Sequence, residues 1–101
     1  MIKYMENSFF ACKIAFVNEF YEICKVFGAS WNVVREGWLL DERINRMHTS
    51  VFLGKRGFSG KCLPKDVQAI VSSSKEAGYN PSLLEEVIKR NRRFQSRDEG
   101  G

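Results

Sequence analysis

The first 27 residues contain neither glycine nor proline, and Gly28 is the first of either. A run of this length without a breaker reads as one long helix over residues 3 to 27, with Gly28 as its natural stop. Its apolar residues recur at Phe9, Phe16, Phe20, Ile23 and Phe27. Phe10, Ile14, Val17, Tyr21 and Cys24 fill the neighbouring stripes. That is wider than one amphipathic face, so the helix must be covered on two sides. A chain of 101 residues makes one domain with a modest core. The remaining cover is therefore expected from a second subunit: a homodimer through the long N-terminal helix.

The rest of the chain is punctuated differently. Ser30 is a good N-cap for a second helix through about Leu40. Asp41 then opens a short turn or helix, "DERINRM". Residues 47 to 61 read as loop, with Gly54, Gly57 and Gly60 at every third position. A third helix begins near Pro64 and ends near Gly78, because proline favours a first helical turn and Asp66 suits the positive helix end. In "NPSLLEEVIKR", Asn80 caps and Pro81 opens a fourth helix. The last residues, "SRDEGG", are expected to fray. No strand pattern of convincing length, repeat or linker is present. The fold class is all-α: a long N-terminal helix and three or more shorter ones. The domain spans residues 1–91, with a basic, frayed tail over 92–101.

Charge and cysteine content narrow the function classes. A net charge of +4 suits an anionic ligand but is too weak to argue for nucleic acid. Lys89, Arg90, Arg92, Arg93 and Arg97 are interleaved by one aromatic, Phe94. Such a run reads as a solvated face, a phosphate-contacting tail being the other reading, so nucleic acid is not expected as a partner. No apolar stretch reaches the roughly 18 residues of a membrane span. Glu6, Asn7 and Ser8 interrupt any signal-peptide core. A cytoplasmic protein without membrane contact is expected. The three cysteines are an odd number without paired spacing. Cys12 and Cys24 on one helix would lie about 18 Å apart, too far for a disulfide. With no CxxC and His48 as the only histidine, no metal site is expected.

Several residues could carry chemistry. The glycine loop, flanked by Lys55, Arg56 and Lys61, reads either as a surface turn or as a place where backbone amides meet a phosphate or sugar. Cys62 reads either as a small apolar anchor or as a nucleophile, since a helix N-terminus and nearby cations stabilise a thiolate. Cys12 and Cys24, on the apolar helix, read as core. Lys3 and Asn7 share a helix face and suit either solvent or an oxyanion. Arg43 suits a helix-end salt bridge with Asp41 or Glu42, or polydentate recognition of sugar hydroxyls. His48 reads as a loop hydrogen-bonding residue.

Together, "IKYMENSFFACKIAFVNE", "LDERI" and "GKRGFSGKCLPKD" resemble the central domain of the UDP-glucose/GDP-mannose dehydrogenase family. The first resembles that family's helix motif through Lys3, Asn7, Asn18 and Glu19. The third resembles its Gly-Phe-Gly-Gly-x-Cys-x-Pro-Lys-Asp motif. The resemblance covers about residues 2 to 91. It implies a fold like the C-terminal domain of 6-phosphogluconate dehydrogenase. It implies two-step, NAD-dependent oxidation of a UDP- or GDP-sugar C6 alcohol to a carboxylate through a cysteine thiohemiacetal and thioester. Cys62 would be the nucleophile, and Lys3 and Asn7 the oxyanion holders. Asp66 would position water or orient Lys3, and Lys65 would face the cofactor. Arg43 would reach the sugar of a neighbouring subunit. The loop Leu53, Gly54, Lys55, Arg56, Gly57, Phe58, Ser59 would wrap the sugar and its phosphates.

Two departures qualify this. Ser59 stands where the family has glycine; were φ positive there, serine would be strained by about 1 kcal/mol or more. No GxGxxG or βαβ unit occurs. The expectation is a segment of a longer enzyme, inactive by itself. A non-catalytic dimerisation or interaction module derived from the family is the alternative.

Overall fold

The computed structural model describes residues 1–100, with side chains to residue 96. Four helices follow one another: α1 (Ile2–Phe27), α2 (Trp31–Trp38), α3 (Cys62–Glu76) and α4 (Ser82–Gly100). The fold is all-α, as its sequence requires; among the described residues there is no strand. No helix among them is long and apolar enough to cross a membrane.

The helix ends follow local chemistry. Gly28 closes α1 in the left-handed conformation at φ 69°. Its N–H and that of Ala29 turn back onto the carbonyls of Lys25 and Cys24, which satisfies acceptors the last turn would leave open. Ser30 caps α2, its Oγ accepting from Val33 N–H at 3.4 Å. Glu85 N–H donates to Pro81 O at 3.0 Å, so Pro81 itself stands at the entry to α4.

The core lies where α1, α3 and α4 meet. Ala11 and Ala15 on α1 are small enough to let the other two helices approach. Val67 and Val71 of α3 and Val87 and Phe94 of α4 fill the seam, with Phe58 of the long loop inserted among them. Each such buried valine contributes about 1.5–3 kcal/mol.

Three boundaries differ from the sequence reading. Helix α3 begins at Cys62, two residues before Pro64, so Pro64 takes the third position of the helix, where an N–H has no intrahelical partner anyway. Helix α2 stops at Trp38 rather than near Leu40. Helix α4 does not end at residue 91: it continues, and Phe94 is buried in the core. The apolar period Val87, Asn91, Phe94 carries the packed face past the expected boundary. The expected fraying of "SRDEGG" falls, beyond Ser96, outside the described side chains.

The outer face of α1 is the one left over. Ile2, Met5, Phe9 and Phe16 are exposed along it, Phe9 to 62%. Phe27 and Val26 continue the exposed apolar surface at its C-terminal end.

Candidate active site

Helices α1 and α3 run against each other, and their N-terminal turns bring the first and third motifs together. Asn7 Nδ2 donates to Asp66 Oδ2 at 2.6 Å, a contact between residues 59 apart in sequence. Asp66 is buried. Lys3 lies one turn before Asn7 on α1, and Cys62 one turn before Asp66 on α3. Residues four apart share a helix face. The four expected catalytic residues thus belong to two adjacent faces tied by one charge-assisted hydrogen bond. Cys62 is exposed, Cys12 half-buried and Cys24 buried. Burial pushes the Cys12 thiol up, which disfavours its reactive thiolate. Cys62 is the first residue of α3, and no side chain caps that helix end. Lys65 is exposed on the same helix.

The glycine loop divides into parts with different tasks. Leu53, Gly54 and Lys55 form an exposed turn, in which Lys55 N–H donates to Phe52 O at 2.9 Å. Arg56 does the opposite. It is 6% exposed, and its guanidinium pairs with Glu22 at 2.9 Å. Its Nε donates to Asn18 Oδ1 at 2.7 Å, and it lies over the rings of Tyr21 and Phe94. Its side chain therefore anchors the loop to α1. Phe58 is buried in the core, its main chain held by Asn91 of α4. Ser59, Gly60 and Lys61 emerge again before Cys62.

The left-handed conformations fall on glycines. Gly57 has φ 77° and Gly60 φ 91°. Among the described non-glycine residues only His48 has positive φ, at 61°. Ser59 is therefore spared the strain a left-handed position would impose. The family glycine it replaces is conformationally dispensable here.

Arg43 lies apart from this site. Its Nε and Nη2 fork onto Asp41 at 3.0 and 2.7 Å, and its backbone N–H joins them. The pair holds the Asp41 carboxyl below its ordinary range. The Arg43 side chain is 87% exposed. Within one chain it makes the helix-end salt bridge. His48 stacks on Phe10, the ring centres 4.9 Å apart.

The structure adds residues that the motifs did not single out: Glu22 receives Arg56, and Asn91 and Gln95 receive Phe58. Asn18, a residue of the first motif, also accepts from Arg56. A signal for Asn91 existed: it occupies the apolar period of α4 between Val87 and Phe94, where a polar residue needs a partner.

Residues 1–93 match the family model of the UDP-glucose/GDP-mannose dehydrogenase family, central domain. The chain belongs to this family. It is 43% identical over 91 residues to UDP-glucose 6-dehydrogenase TuaD of Bacillus subtilis, covering 90% of this chain and 19% of that one. It is 44% identical over 89 residues to UDP-glucose 6-dehydrogenase AglM of Haloferax volcanii, covering 87% and 20%. A UDP-glucose 6-dehydrogenase of Pseudomonas aeruginosa is 38% identical over 91 residues, covering 90% and 19%. The chain thus spans about a fifth of the length of the relatives it matches. Family membership matches the three motifs and their order, and the Asn7–Asp66 contact joins two of them.

Proposed function

We propose that this chain is the central domain of a nucleotide-sugar 6-dehydrogenase, supplying the dimer contact and the nucleophile. The observation that supports this most is the hydrogen bond between Asn7 and Asp66. It draws the lysine–asparagine motif of α1 to the cysteine-bearing end of α3, where a nucleophile and an oxyanion holder must both be within reach of one carbon.

In this reading the sugar C6 is first at the aldehyde level. The Cys62 sulfur adds to that carbon, and the carbonyl electron pair moves onto oxygen. Lys3 supplies a cation and Asn7 a second amide N–H for that oxygen. Loss of hydride from the same carbon leaves a thioester. Water then adds, the carbon–sulfur bond breaks, and the sugar leaves as the carboxylate while the thiolate is restored. Asp66, held by Asn7, orients that water. NAD would be the hydride acceptor. Lys65 is the residue here assigned to face it, but helices and loops alone offer no strand–turn–helix cradle for a pyrophosphate.

The exposed apolar face of α1 supports a homodimer, with a second copy as cover. Arg43, bound to Asp41 on the surface, would exchange that partner for the neighbouring subunit's sugar. A non-catalytic module is the alternative; Ser59, the departure within the motif, has no left-handed φ and so gives that alternative no support from strain.

The test is a chimera in which residues 1–93 replace the matching segment of the Bacillus TuaD protein, assayed for NADH formation with UDP-glucose. Activity that falls about 1000-fold or more on Cys62→Ser supports the reading. A folded chimera without activity supports the non-catalytic module, and full activity in the Cys62→Ser chimera removes Cys62 from the chemistry.

A further inference from the structure

Three features of the loop before α3 converge on one residue. Asn91 of α4 is 6% exposed. Its Oδ1 accepts from Phe58 N–H at 2.6 Å, and its Nδ2 donates to Phe58 O at 2.9 Å. A single carboxamide thereby satisfies both main-chain groups of one loop residue, as a neighbouring strand would. Gln95, one turn on, donates to the same carbonyl at 3.0 Å. From the opposite side, Asn18 of α1 accepts from Gly57 N–H at 3.4 Å.

The approach is close enough to dictate sequence. A Cβ built on Gly57 would collide with Asn91 Oδ1, and Gly57 is also left-handed. Glycine is thus required there twice over, once by φ and once by the carboxamide. Four residues beyond the clamped Phe58 comes Cys62, with left-handed Gly60 between them. Ser59, Gly60 and Lys61 are exposed, and no side chain caps α3. The last buried hold on the chain before the thiol is therefore the one at Phe58.

We propose that Asn91 is a positioning residue: its carboxamide, clamped on the main chain of Phe58, sets where the chain enters α3 and hence where Cys62 stands. It does not touch the reacting atoms. It fixes the loop that delivers the nucleophile, so a change at Asn91 alters Cys62 more than it alters the fold. The proposal rests on Cys62 as the nucleophile, and the chimera above tests that separately.

The experiment measures two quantities in the full chain. One is the iodoacetamide alkylation rate of Cys62 relative to Cys12, followed by peptide mass spectrometry. The other is amide exchange at Phe58 against that of α1. Asn91→Leu keeps the shape and removes the clamp. Expected are faster exchange at Phe58, unchanged α1, and Cys62 alkylation slowed about threefold as the thiol leaves the helix end. Asn91→Asp keeps the acceptor for Phe58 N–H, but its carboxylate repels the Phe58 carbonyl. Protonation restores the donor, so its Cys62 rate relative to wild type should recover as pH falls through the carboxyl's range. A general loss of stability would raise amide exchange across α1 together with that of Phe58, so recovery counts for positioning where α1 exchange stays at the wild-type level.

Faster Phe58 exchange with an unchanged Cys62 rate would overturn the proposal, and so would no change in either. If Asn91→Leu unfolds, Cys12 and Cys24 become fast as well, and the Asp variant decides: acid recovery of the Cys62 rate with Cys24 and α1 exchange unchanged supports positioning, and recovery shared by all of them, or none, overturns it. An inactive chimera fails the reading of Cys62 as nucleophile while leaving the exchange and alkylation contrast to judge the clamp.

Discussion

Gly57 and Ser59 sit two residues apart, and the structure treats them as opposites. Gly57→Ala should cost more than about 2 kcal/mol, because a left-handed alanine is strained and its Cβ meets Asn91. Ser59→Gly should instead cost about 0.5–1 kcal/mol, through the greater freedom of the unfolded chain. Urea unfolding of the two variants checks both; equal losses would refute the assignment of the positive φ to Gly57. The sequence alone could mark the serine as a departure, but not that its neighbours had taken over the left-handed positions. Ser8 offers a second case. Its Oγ is buried without a hydrogen-bond partner on α1. Ser8→Ala removes that burden and improves helix propensity, so a gain of about 1 kcal/mol is expected in the same assay. A loss would mean that the hydroxyl has a partner.

At the scale of elements, what was legible depended on whether a local signal acted alone. Helix α1 could be read because 27 residues lack a breaker, and Gly28, Ser30 and Pro81 acted as punctuation where they stand. Helix α4 runs past the expected boundary because the cations around Phe94 mask its apolar period. Arg56 is expected from the sequence to wrap the sugar and its phosphates with the rest of its loop, because nothing local reveals that Glu22 and Asn18, more than 30 residues earlier, enclose it. The connection after α2 is held differently, by surface charge. Arg46 forks onto Glu36 at 3.0 and 3.1 Å, and Arg43 onto Asp41. The arginine hydrogen bonds hold both carboxyls below their ordinary values of 4.5 and 3.8. Since the folded values are the lower ones, both pairs stabilise the connection above the ordinary values and lose that contribution as pH falls through the folded ones. Carbon-13 titration should therefore give midpoints below 4.5 for Glu36 and 3.8 for Asp41. High salt should move both back up, because exposed pairs are screened. Midpoints at the ordinary values would show that the forks do not persist in solution.

For the whole molecule, the question is what meets the outer side of α1. Phe9 and Phe16 are both more than half exposed, seven residues apart on one stripe. If a second copy covers them, Phe9→Glu and Phe16→Glu should each weaken association at least tenfold, read by sedimentation equilibrium, and leave the helical circular dichroism intact. A protein already monomeric at micromolar concentration would remove the dimer from the proposal. The sequence reached this expectation by an excess of apolar surface. The proposed catalytic constellation was legible for a different reason: Lys3, Asn7, Cys62 and Asp66 stand in motifs, and motifs are read without knowing how the chain turns between them.

The divided loop has a consequence for how this family can vary. Phe52 to Lys55 hang outside, while Arg56 to Phe58 are fastened to α1 and α4. Length added between Leu53 and Gly54 should be absorbed on the outer side of the fastening and stop there. A three-residue Gly-Ser insertion should leave the Cys62 alkylation rate within about twofold of wild type, whereas the same insertion between Phe58 and Ser59 should not. The exposed turn and the stretch leading to Cys62 can then diverge independently, one by insertion and the other hardly at all.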